Sequence, residues 1–83
     1  MKINELNGKQ EQEGSEEENY YFSLLDFYKK EKKKVHVEML NGRFYNGMVL
    51  KVTNNSFILE DVNLGKMPIF FLQIKIVEAY KQK

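Results

Sequence analysis

From Asn19 onward the chain changes from polar to densely apolar, and Tyr21, Leu24, Leu25 and Tyr28 recur at i, i+3, i+4 and i+7. That spacing puts them on one helical face and predicts a helix over about residues 19–31. Glu16 to Glu18 at its start and the lysines at its end carry the charges that suit the two ends of the helix dipole. Beyond Lys34 the period falls from 3.6 to 2: Val35, Val37 and Met39 alternate with His36 and Glu38, which predicts a first strand over about 34–40. Asn41-Gly42 is a hairpin signal of the type I′ kind, with positive φ at both central residues. A second strand then returns over about 43–52, with Gly47 marking a bend or bulge. Tyr45 and Val49 lie on one of its faces and Phe44, Met48 and Leu50 on the other, a pattern suited to a strand covered on both sides. Thr53-Asn54-Asn55 reads as a turn, 56–60 as a third strand and Asp61 to Gly65 as a further turn. A fourth strand is expected over about 66–71, lacking a donor at Pro68, then a tight junction near Gln73 and a fifth strand over 74–79. Five short strands in so short a chain favour one strongly bent antiparallel sheet, closed as a small barrel and capped by the helix.

Composition narrows this further. The 83 residues suffice for one domain, because chains divide only beyond roughly 250 residues. So small a core is marginal, and self-association would add to it. The absence of cysteine removes disulfides, zinc knuckles and thiol nucleophiles, and suggests a cytoplasmic setting. Residues 1–15 are too polar for the apolar part of a signal peptide, and no apolar run approaches the roughly 18 residues of a membrane span, so no membrane partner is expected.

A formal net charge of +1 conceals strong segregation. Residues 1–18 carry six glutamates against two lysines and few apolar groups, and are expected to form a disordered acidic arm ahead of a domain spanning 19–83. Residues 19–34 carry Lys29, Lys30, Lys32, Lys33 and Lys34 against Asp26 and Glu31. Such a cluster projects a local positive field able to attract phosphate, although a solvated helix end has the same composition.

The segment Val35-His36-Val37-Glu38-Met39-Leu40-Asn41-Gly42-Arg43-Phe44-Tyr45-Asn46-Gly47-Met48-Val49 resembles the first conserved segment of the Sm/Lsm family: an alternating strand, an Asn/Asp-Gly turn, and a glycine five residues beyond the turn glycine. Phe57-Ile58-Leu59-Glu60-Asp61 is similar to the family's third strand, and Ile69-Phe70-Phe71-Leu72-Gln73-Ile74 occupies the place of its second segment. The likeness covers about residues 20–80 and implies a mostly β, SH3-like barrel of Sm type with an N-terminal helix. It also implies binding of single-stranded RNA, without catalysis or cofactor, by a homo-oligomeric ring of six or seven copies joined strand 4 to strand 5.

On that resemblance, Thr53, Asn54 and Asn55 in the loop between strands 2 and 3 are the expected RNA contacts. Phe71 and Gln73 complete the pocket, the former by stacking on a base, and the five lysines draw in the backbone. Met67, Ile69, Ile74 and Ile76 are the expected contacts between copies. The family's acidic residue and its Arg-Gly pair are absent, since Thr53-Asn54-Asn55 and Phe71-Leu72 stand near their places. A protein-interaction scaffold that has lost RNA recognition is therefore the alternative. Catalysis has little to draw on: His36 is the only histidine, and no convergent carboxylate pair or metal-ligand spacing is present.

Overall fold

The computed structural model describes residues 19–81; the expected disordered arm lies outside them. A helix, α1, covers residues 19–31. Five strands follow: β1 (Lys34–Met39), β2 (Phe44–Val52), β3 (Ser56–Asp61), β4 (Gly65–Phe70) and β5 (Ile74–Ala79), with a 3-10 turn, Phe71–Gln73, between the last two. They form one antiparallel sheet in the order β4-β3-β2-β1-β5. This is the mostly β fold with an N-terminal helix that the periodicity predicts.

The alternation in β1 buries Val35, Val37 and Met39, and the same side of the sheet contributes Val49, Phe57, Leu59, Ile69 and Ile74. Leu25 of α1 is fully buried among them, with Tyr21 and Tyr28 packed alongside, as the helical spacing requires. At its C-terminus α1 closes in a Schellman arrangement, with Lys33 N–H donating to the Tyr28 carbonyl at 3.0 Å and Lys32 N–H to that of Lys29 at 3.1 Å. The motif places Lys32 in the left-handed region, φ 56°, where a side chain is strained.

Three local expectations are corrected. The β1–β2 turn is not type I′, because only Gly42 has positive φ, 92°. The Gly42 N–H donates to the Met39 carbonyl at 3.0 Å and Met39 N–H to that of Arg43 at 2.8 Å, which makes a three-residue loop ending in a left-handed glycine. Gly47 is not a bulge; it pairs with Val35 on one side and Asp61 on the other, and the irregularity falls at Leu50, between Val49 and Lys51. What Gly47 provides is room, since a Cβ there would collide with the Glu60 carbonyl. Finally, β4 begins at Gly65, so that Phe71 leaves the strand and enters the 3-10 turn.

Asp61 closes β3 from a buried position. Its carboxylate accepts from the backbone N–H groups of Asn63 (2.8 Å), Leu64 (2.9 Å) and Asn46 (3.1 Å), and so shapes the β3–β4 turn while tying it to β2. Burial pushes this carboxyl upward, but the three N–H donors together outweigh it and hold the group below the usual aspartate value.

Three measurements follow from these features. Gly47→Ala should lower unfolding free energy by about 3 kcal/mol or more, since the obstacle is backbone and cannot repack; a loss below 1 kcal/mol in chemical denaturation would remove the close-approach explanation. Lys32→Gly should raise stability by about 0.5–1 kcal/mol through relief of left-handed strain. Asp61→Asn should cost about 1.5–3 kcal/mol at pH 7. Because the folded-state pKa is lowered, that difference is complete above the unfolded value of about 4 and shrinks as pH falls through the folded value. A difference constant between pH 7 and acid would contradict the ionised anchor.

Candidate nucleic-acid interface

The loop after β2 is held by its own first residue. The Thr53 hydroxyl accepts from the N–H groups of Ser56 (3.0 Å) and Asn55 (3.3 Å) and lies 3.1 Å from Asn55 Oδ1 and 2.9 Å from Ser56 Oγ. Thr53 N–H donates to the Ser56 carbonyl at 2.8 Å, closing the hairpin. The hydroxyl is thus committed to loop shape, and Thr53 is half-buried. Asn54 and Asn55 are exposed. Among the described residues Asn54 makes no side-chain hydrogen bond and the Asn55 amide nitrogen has no partner, so both keep donors for a base edge or sugar.

A backbone hydrogen bond seats this loop beside the 3-10 turn: Phe71 N–H donates to the Asn55 carbonyl at 2.9 Å. Gln73, exposed on the same turn, accepts from Phe70 N–H at 3.4 Å through Oε1, while its carbonyl accepts from Leu40 N–H at 2.9 Å. The structure therefore brings together Thr53, Asn54, Asn55, Phe71 and Gln73, which lie some twenty residues apart in sequence. It does not present the Phe71 ring. That ring is 3% exposed and packs on Tyr21 and Phe57, with centroids 5.6 and 6.5 Å away, so stacking of Phe71 on a base is replaced by a place in the core. The hydrophobic side chain that the turn does project is Leu72, 81% exposed.

Among the five lysines, Lys30 pairs with Asp26 at 3.1 Å and Lys34 Nζ lies 4.9 Å from the centre of the Tyr80 ring. Lys29, Lys32 and Lys33 have no ion pair among the described residues, and Lys32 and Lys33 are exposed. Of the expected contacts between copies, Ile69 and Ile74 are taken into the core of their own subunit, because both point to the side of the sheet that α1 covers. Met67 packs against the same core but stays half-buried, and Ile76 is 39% exposed, so Ile76 and the open side of Met67 remain for an outside partner.

His36 lies on the outer face of β1. Asn46 Oδ1 can only accept, so His36 Nδ1 donates to it, at 2.7 Å, and the Phe44 ring stands 5.7 Å away. Alternation assigns Phe44 to one face of β2 and says nothing of Asn46; the β1–β2 register, which sets His36 opposite Asn46 and Glu38 opposite Phe44, is what gathers them. Among the described residues no group of three or more His, Asp or Glu is placed to hold a metal ion, and no helix is long and apolar enough to cross a membrane.

No family model and no curated protein matches the sequence. Among solved structures the chain is similar to the crystal structure described as that of the pleiotropic translational regulator Hfq, with a TM-score of 0.61 and 20% identity over 66% of this chain and 90% of that one. The fold is accordingly the Sm-like fold, and at this identity the likeness speaks to architecture alone.

Proposed function

We propose that this protein is a non-catalytic, Sm-like RNA-binding protein that holds single-stranded RNA on a homo-oligomeric ring of six or seven copies. The observation that carries this reading is the Phe71 to Asn55 hydrogen bond, which sets an amide-bearing loop against a second loop and leaves Asn54, Asn55 and Gln73 open to solvent. Amides donate and accept at once, so they suit base edges better than phosphates. The similarity to Hfq, whose structure is that of a translational regulator, supports the same class of task.

One copy of such a site is weak, having three neutral side chains and no stacking ring. Repetition around a ring multiplies it, and also multiplies the positive field of Lys29, Lys32 and Lys33. The lysines supply salt-dependent attraction and the amides supply contact at the base. A cytoplasmic location fits a chain without cysteine. The alternative is a protein-interaction scaffold of the same fold, and what favours it is the withdrawal of Phe71 into the core together with the uncharged second loop.

The double replacement Asn54→Ala with Asn55→Ala should weaken binding of a uridine- or adenosine-rich oligoribonucleotide by about tenfold in fluorescence anisotropy, with oligomer mass unchanged. Wild-type affinity should fall linearly with salt on logarithmic axes. Full affinity in the double variant would move the site elsewhere, and no wild-type binding at low salt would favour the scaffold.

A further inference from the structure

The two edges of the sheet are not chemically equivalent. Because Phe71 N–H donates to the Asn55 carbonyl, residues 55 and 71 form a hydrogen-bonded pair at the start of the β3–β4 ladder. Antiparallel pairs alternate, so Phe57 with Ile69 and Leu59 with Met67 are bonded, whereas Ile58 with Pro68 is a non-bonded pair. The backbone of Lys66, Pro68 and Phe70 therefore points away from β3, toward the free edge. Pro68 costs the ladder nothing and removes the central donor of that edge. Phe70 N–H, the next donor along, is drawn toward Gln73 Oε1.

At the opposite end of the sheet, Tyr80 N–H donates to the Lys34 carbonyl at 2.9 Å. His36 with Glu78 and Glu38 with Ile76 are then the bonded pairs of β1 and β5, and the backbone of Val77 and Ala79 faces outward with donor and acceptor intact. An added strand thus finds a complete edge on β5 and a depleted one on β4. The side chains agree with pairing between the two. The outward-pointing residues of β4 carry side chains on the outer face, whereas Val77 packs on the core side. Antiparallel pairing of β4 with β5 of a second copy therefore puts the two cores on opposite faces of the shared sheet. Half-buried Met67 then meets the outer face of β5 that carries Ile76, and exposed Phe70 meets the face that carries Val77.

We propose that Pro68 sets the strength of this contact between copies: at each junction one β5 carbonyl faces the proline without a donor, so that the assembly is reversible. The inference rests on the ring reading above and goes beyond it, because it assigns a weakening role to one residue. In contrast to a proline that only protects an edge from pairing, Pro68 leaves the flanking carbonyls and the Lys66 N–H available.

The test is sedimentation equilibrium of the full chain across a concentration series, for wild type, Pro68→Ala and Pro68→Thr. Wild type should associate reversibly. Both variants should associate about fivefold more tightly per contact, the worth of one added amide–carbonyl hydrogen bond. Hydrogen exchange should find the new residue-68 amide protected in the assembly and unprotected on dilution, and the thermal midpoint of the diluted subunit should be unchanged. If wild type assembles and neither variant is tighter, or if the wild-type assembly does not dissociate on dilution, the role of Pro68 is overturned and the ring stands. If all three remain single chains, both fail.

Discussion

The structure depends on the close approach of β2 to its neighbour β3 at Gly47. β2 is shared by β1 and β3, and it approaches Glu60 so nearly that the position has no room for a side chain. Asp61, the next residue, fastens the same region with three backbone donors drawn from β2 and from the following turn. The Leu50 irregularity further along β2 continues the bend. Together these features curl a five-stranded sheet around a core that holds ten buried apolar side chains among the described residues, one of them the Leu25 that α1 inserts.

The strand order has two consequences for the proposed function. Pairing of β3 with β4 sets the β2–β3 loop next to the 3-10 turn, because Asn55 and Phe71 continue the ladder beyond Ser56 and Phe70. Among the described residues the order also leaves β4 and β5 as edges at its two ends. The first gathers the amides into one place, and the second offers a way to repeat that place in space. A small core and an amide site of few contacts are both improved by the same event, association of copies. On the proposed reading the charged residues fit this division: the lysines at the end of α1 would act at a distance, where field matters, and the uncharged loops at contact, where hydrogen-bond geometry matters.

Periodicity made much of the fold legible. The switch at Lys34 from a spacing of 3.6 to one of 2 located α1 and β1, because each places its apolar residues on a single buried face. Turn residues located the remaining strands within a residue or two. What periodicity could not convey was which face of a fully apolar stretch turns inward. Ile69, Phe71 and Ile74 lie in such a stretch, and only the register against Phe57 and the packing of Tyr21 decide that all three belong to the core. Gly47 is a similar case: the residue type announced an unusual backbone, yet a bulge and a steric contact with another strand demand the same glycine. The Pro68 donor was likewise ambiguous until the hydrogen bond at Phe71 fixed the phase of the ladder. The grouping of Asn46 and Phe44 with His36 is invisible to periodicity because it exists only across paired strands.

Repetition of one modest ribonucleotide site by self-association is most directly examined by native mass spectrometry of the full chain mixed with a short uridine- or adenosine-rich oligoribonucleotide. Complexes of six or seven chains carrying RNA are the expected species, dissociating into single subunits that have lost it. A spectrum of single chains without bound RNA at every ratio would contradict both the assembly and the site.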